Sequence, residues 1–329
     1  MMTEDEADAA LRQNKANGPA LVAKADHLLA RSDRRGALAY YEAALNPALS
    51  ATGNMAALTE HAQAKIAEIQ GGMPRHIEET LAEAGFPRPD WHPRFARSLA
   101  IMMGQVPRDR VGERFPQMPT AYFYPDLPHL EFADPSCFAW SGAIEAATDS
   151  ILEESEALSR EAAFGAYVRS TDHRPQGDVH GMLENDAWST LDLTRKGAAD
   201  EERVARFPAT YAAITEHAPL CDITNRSPSI MFSRLSAGSR IPPHTGMINT
   251  RLVCHLPLIV PGNGALRVGT ETREWTRGKL MVFDDTVEHE AWNHSSADRL
   301  VLIFDVWRPE ISDIERAQIR ALFRAVDTY

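Results

Sequence analysis

The chain has 329 residues, 44% of them hydrophobic and 24% charged, with a formal net charge of -12. That length accommodates one large domain plus a small one, and the composition is that of a globular protein able to bury a sizeable core. The acidic balance offers no basic stripe for nucleic acid, and no apolar run reaches the length of a membrane span. The acidic start, residues 1–8, lacks the basic and then apolar pattern of a signal peptide, so a cytoplasmic location is the expectation. Cys137, Cys221 and Cys254 are odd in number and widely spaced, which predicts reduced thiols rather than a disulfide framework or a zinc ribbon.

Residues 1–85 read as a helical region. Leu21, Ala25, Leu28 and Leu29 recur at helical spacing, Arg34-Arg35-Gly36 interrupts them, and Ala37, Tyr41 and Ala44 mark a second face that ends before Pro47. These positions resemble the small and large positions of one tetratricopeptide helix pair. A single unit does not make a solenoid, so an ordinary helical hairpin fits as well, and either could serve as a surface for a protein partner. Further helices are predicted at 55–70 and 74–84. Gly85-Phe86-Pro87-Arg88-Pro89 then punctuates the chain.

Residues 86–165 read as linker, extended arm and supporting helices, with helices at 93–103 and 144–163. Between them lies a Pro-rich stretch, 106–135, containing Pro119-Thr120-Ala121-Tyr122-Phe123-Tyr124-Pro125. Aromatic residues between prolines suit an extended arm laid over a core. From 166 to 329 the pattern changes to short strands, predicted at 230–235, 251–260, 265–268, 279–283 and 299–307, with a turn at Gly262-Asn263-Gly264 and a closing helix at 310–327. The expected fold is a mainly β core of jelly-roll or sandwich type behind an α-helical N-terminal region.

Period two puts Arg251, Val253 and His255 on one face of their strand, with Leu252, Cys254 and Leu256 on the other. It likewise groups Arg299, Val301, Ile303 and Asp305 against Leu300, Leu302 and Phe304. The polar faces could meet solvent or line a barrel that holds a polar ligand, and nearby histidines favour the barrel. His244 lies in Pro243-His244-Thr245-Gly246, and His289 in Asp284-Asp285-Thr286-Val287-Glu288-His289-Glu290. Two imidazoles can hold a ferrous ion with open coordination positions. Arg299, ten residues past the second histidine, offers the planar donor fork that a carboxylate needs.

The words around these residues resemble the aspartyl/asparaginyl β-hydroxylase family of iron- and 2-oxoglutarate-dependent oxygenases. The match runs through His244-Thr245-Gly246, Asn249, Arg251-Leu252 and His255-Leu256. It continues in Gly278-Lys279, Phe283-Asp284-Asp285, Glu288-His289-Glu290 and Trp292, and closes with Arg299-Leu300 and Asp305-Val306-Trp307-Arg308-Pro309-Glu310. It covers roughly residues 233–312.

The resemblance implies a double-stranded β-helix core. It implies His244 and His289 as Fe(II) ligands, Arg299 as partner of the distal carboxylate of 2-oxoglutarate, Ser233 and His255 as further co-substrate contacts, and O2 as the oxidant. Many such oxygenases carry an acidic third ligand two residues after the first histidine, where this chain has Gly246. The β-hydroxylase subgroup shares that glycine. Halogenases of the wider superfamily lose the same carboxylate and bind halide there, which keeps halogenation as an alternative. The carboxylates of Asp284, Asp285, Glu288 and Glu290 are expected to bond strand ends and orient His289 rather than to act on substrate.

The implied reaction is hydroxylation of an amino-acid side chain, of Asp/Asn β type, in a peptide or protein; a free amino acid and a lipid acyl chain are the alternatives. Arg251 matches an arginine that faces the substrate carboxylate in the peptide hydroxylases. A second arginine, upstream of Trp188, is replaced by Leu183, and polar and basic positions before Ser233 become Ser229 and Met231. Such a pocket should discriminate less for an aspartyl side chain. Arg169 or Arg174, at the 170–178 loop, could substitute, although solvated loop arginines are the plainer expectation. The alternative from another class is a non-catalytic jelly-roll binding module, against which the retained histidines and Arg299 argue.

Overall fold

The computed structural model describes residues 2–46, 56–109, 112–156, 164–169 and 181–329. By contacts the chain divides into two units, one made mostly of residues up to 90 with 321–329, the other of 91–168 and 180–320.

The first unit is helical: α1 (Glu4–Gln13), α2 (Gly18–Ala30), α3 (Arg34–Leu45) and α4 (Ala56–Glu83). Thr3, Asn17 and Asp33 cap the first three, each side chain accepting from a backbone N–H of the first turn. Leu21, Ala25, Leu28, Ala37 and Tyr41 are buried together between α2 and α3, as the spacing predicts. α4 departs from expectation, because one helix runs through Pro74 where the sequence suggests a break. Its buried residues Ala62, Ile69, Ile77 and Leu81 keep one stripe across the proline, so packing outweighs the lost backbone bond. Gly72 makes room for Tyr329, whose hydroxyl donates to the Ile69 carbonyl.

The second unit holds α5 (Pro93–Met102), β1 (Phe132–Ala133), α6 (Ser141–Ala146), α7 (Thr148–Glu156), β2 (Gly165–Ala166), β3 (Trp188–Arg195), β4 (Ala198–Ala199), α8 (Glu201–Arg206) and α9 (Pro208–Thr215). The strands that follow are β5 (Ile230–Leu235), β6 (Ser239–His244), β7 (Arg251–Ile259), β8 (Gly264–Val268), β9 (Glu271–Glu274), β10 (Met281–Phe283), β11 (His289–Asn293) and β12 (Arg299–Trp307); α10 (Asp313–Asp327) comes last, its residues from Ala321 on counting with the first unit. The expected helix at 144–163 is instead the tail of α6 and then α7, and residues 157–163 lie outside those described.

One sheet has the order β1-β10-β7-β12-β5-β3-β2 with β4 on β3, and the other β6-β11-β8-β9. From β5 onward the chain passes back and forth between them, β5 large, β6 small, β7 large, β8 and β9 small, β10 large, β11 small, β12 large. That winding makes a double-stranded β-helix, a jelly roll.

Alternation along the strands explains the layers. Leu252, Cys254 and Leu256 of β7 and Leu300, Leu302 and Phe304 of β12 pack with Ile144, Ile151 and Ile214 of the covering helices. Burying each large side chain there contributes about 1.5–3 kcal/mol. The opposite face of the large sheet, with Val253, Val301 and Ile303, packs on Ile241, Leu266 and Ala291 of the small sheet. The polar faces of β7 and β12 therefore point into the barrel, not to solvent.

Candidate functional site

His244 ends β6 and His289 begins β11, and the two are direct partners in the antiparallel ladder. Their ring centroids lie 4.1 Å apart. Each Nδ1 faces a carbonyl two residues back, Pro242 O at 2.9 Å and Val287 O at 3.0 Å. A carbonyl only accepts, so each Nδ1 carries a proton, which in a neutral ring leaves the lone pair on Nε2. Burial, then the neighbouring His244, pushes His289 down to about 3, so its ring is neutral at neutral pH.

Gly246 follows with no side chain, and the reason is steric: a Cβ there would overlap the carboxylate of Asp285. Asp285 lies in the loop that leads into β11, and its carbonyl accepts from Gly246 N at 2.7 Å. Its carboxyl is pushed up to about 6, chiefly by burial, while Arg251 pulls the other way. Among the described residues no group of three or more His, Cys, Asp or Glu is arranged to hold a metal. Two imidazoles whose Nδ1 atoms are turned to carbonyls can offer Nε2 to a divalent transition ion whose other positions stay open.

A chain of rings leads from the histidines to Arg299. Phe283 stands 5.5 Å from His289 and 5.0 Å from His255, and His255 stacks on Trp275 at 5.5 Å. The Arg299 guanidinium lies 5.0 Å above the Trp275 ring. Arg299 is 2% exposed, and its Nε and Nη2 have no hydrogen-bond partner among the described residues. Burial draws it down to about 9, so it remains charged at neutral pH. A buried cation with idle donors is costly unless something anionic pairs with it. His255 Nδ1 is also buried without a partner. Ser233, on β5, accepts from Trp188 Nε1 at 3.1 Å and keeps its own O–H to donate. A small dicarboxylate fits this donor set.

Arg251 lies on the same face of β7 as His255, but in a different setting. Its Nη2 donates to Asp285 at 3.1 Å and its Nη1 to Asp305 at 3.2 Å. Asp305 also accepts from the Ser227 hydroxyl and from Ser229 N. Tyr167 stacks on Trp188 at 4.0 Å, and Trp188 stands 5.8 Å from His244. Leu183 is half-buried and bridges Val168 through the backbone, Met231 is buried opposite Ile303, and Arg169 is half-buried. Arg174 lies outside the described residues.

The sequence reading missed Trp275, the shelf under Arg299 and His255, because a lone tryptophan between short strands carries no motif. It also missed the two aspartates on Arg251, which only the folded sheet brings together.

The sequence model of the Aspartyl/Asparaginyl beta-hydroxylase family matches residues 145–309. The aspartyl/asparaginyl beta-hydroxylase of Mus musculus is 36% identical over 142 residues, 43% of this chain and 19% of that protein. The ornithine lipid ester-linked acyl 2-hydroxylase of Rhizobium tropici is 32% identical over 190 residues, 56% of this chain and 63% of that protein. The chain thus spans less than two thirds of either relative's length. Among solved structures, the Schizosaccharomyces pombe Cnp3 cupin domain aligns over 37% of this chain and 65% of its own, at a TM-score of 0.25 and 7% identity. With the jelly roll, the histidine pair and the family match together, this chain belongs to the aspartyl/asparaginyl β-hydroxylase family of hydroxylases.

Proposed function

We propose that this protein is an iron(II)- and 2-oxoglutarate-dependent oxygenase that hydroxylates an amino-acid side chain, in a peptide or protein or as a free amino acid. His244 and His289 would hold the metal through Nε2. Bound ferrous iron with 2-oxoglutarate and O2 supplies the oxidation that converts a substrate C–H to C–OH, releasing succinate and CO2.

The protein's own residues bind and orient. Arg299 pairs with the distal carboxylate of the co-substrate, and the Ser233 hydroxyl and His255 add hydrogen bonds. Trp275, Phe283 and Val301, all buried, keep water from that pairing and so strengthen it. The backbone carbonyls on both Nδ1 atoms hold each imidazole in the tautomer that leaves Nε2 for the metal.

The observation that carries this reading is Arg299, a buried cation with two partnerless nitrogens, joined by a run of rings to a histidine pair. The test supplies Fe(II), 2-oxoglutarate and O2, measures succinate, and looks by mass spectrometry for substrates that gain one oxygen. Absence of both iron binding and succinate would overturn it.

An acyl chain is the second reading. Arg251 already serves two aspartates, which leaves it less able to hold a substrate carboxylate, and Met118 and Met247 are exposed at 53% and 48%. Offering acyl lipids beside peptides in the same assay separates the two readings.

A further inference from the structure

Both candidate metal ligands border loops, and the extended arm bonds both of those loops. Met118 N donates to Thr286 O at 2.6 Å, in the loop that leads to His289. Thr120 N donates to Gly246 O at 3.0 Å and Ala121 N to Met247 O at 2.9 Å, in the loop that leaves His244. The arm's side chains repeat the pattern. Gln117 Nε2 donates to Asp284 Oδ2 at 2.6 Å, and Gln117 Oε1 accepts from Asn249 Nδ2 at 3.0 Å. One buried amide therefore spans the two loops, using its donor on one and its acceptor on the other.

The two residues that Gln117 meets are fixed in turn. Asp284, fully buried, accepts from Arg308 Nη1 at 2.8 Å and from the Thr286 backbone N–H at 3.0 Å. Asn249, also fully buried, exchanges bonds with the backbone of Tyr124, at 2.7 Å to its N and 2.9 Å to its O. Asp284 and Asn249 would keep these partners without Gln117. Gly246 N already donates to Asp285 O across the two loops at 2.7 Å, and Gln117 adds a side-chain tie that further fixes their separation. In a metal site with only two side-chain ligands, that separation sets how well both Nε2 atoms meet one ion.

We infer that the arm is a working part of the metal site, with Gln117 as the positioning residue that holds the His244 and His289 loops in register for a shared ion. This rests on the reading that these histidines bind metal.

The test uses the full chain and Co(II) as the probe, with affinity from a binding titration and ligand geometry from the visible absorption of the bound ion. Gln117→Met keeps length and burial but removes the bonds to Asp284 and Asn249, with a weaker 3.4 Å one to the Pro128 carbonyl, and is expected to weaken Co(II) binding roughly tenfold or more and to alter the absorption. The control is Thr210→Val, which removes a 2.6 Å bond from the fully buried Thr210 hydroxyl to Glu154, far from either loop in sequence, and should bind Co(II) as the wild type does. Should Gln117→Met fail to fold, Gln117→Asn, one methylene short, is scored by the same two readouts. Wild-type affinity and spectrum in the Gln117 variant, or an equal loss in Thr210→Val, would overturn the inference while leaving the metal reading intact. If the wild type itself bound no Co(II), the metal reading would fail and this inference with it.

Discussion

Arg299 and Arg251 lie inside the same barrel on neighbouring strands, and their surroundings are opposite. Arg251 meets an aspartate on each side and is held well above its ordinary range by Asp305 and Asp285 despite its burial. Arg299 meets aromatic faces, leaves two nitrogens without partners, and is drawn down to about 9 by burial. The folded protein gives Arg251 two carboxylate partners, its Nε alone left unbonded, and gives Arg299 no carboxylate among the described residues. A satisfied buried charge holds a fold together, whereas an unsatisfied one marks a place where something binds.

Substitutions test that contrast. The largest effect is expected at the metal end: His289→Ala should abolish metal binding, measured by titration, and with it succinate formation. Next is Arg251→Met, which strands two buried carboxylates and should lower stability by about 3–5 kcal/mol in denaturant unfolding. Arg299→Met should do the reverse to the ligand-free fold, raising stability by about 1–3 kcal/mol, because it removes a buried charge that lacks a partner. If both arginine variants destabilised the protein equally, the contrast would be lost.

The smallest effect is on pH dependence. Burial alone would raise the Glu315 carboxyl, but bonds from Arg94, Ser312 and Tyr124 hold it at about 2, below its ordinary 4.5. A depressed acid stabilises fully above its unfolded value, and that contribution is lost as pH falls from 4.5 towards 2. Glu315→Gln should therefore flatten the unfolding profile across that window and cost stability above it.

Much of this was legible in the sequence where one residue's neighbours lie close in the chain. β7 and β12 showed both faces through strict alternation, and His244, His289 and Arg299 stood in recognisable words. β3 was missed because Ser189, Thr190, Asp192 and Thr194 make it read as polar, which is what a strand lining a polar barrel looks like. β6 was missed because Pro242 and Pro243 argue against a strand, yet it is the edge of the small sheet, where a missing N–H is tolerated. The break expected at Pro74 did not occur because the buried stripe of α4 continues past it. The partners of Arg251 and the two-loop reach of Gln117 were hidden for one reason, since each joins residues far apart in the chain.

We propose that His244, His289 and Arg299 together form a site for ferrous iron and 2-oxoglutarate. Its most direct test is an anaerobic titration of 2-oxoglutarate into the Fe(II)-loaded protein and into Arg299→Met, following the charge-transfer absorption of the chelate. Saturable binding is expected in the wild type and affinity at least about a hundredfold weaker in the variant, because a buried charge partner has been removed. Equal affinity in the two proteins, or no absorption change in the wild type, would contradict it.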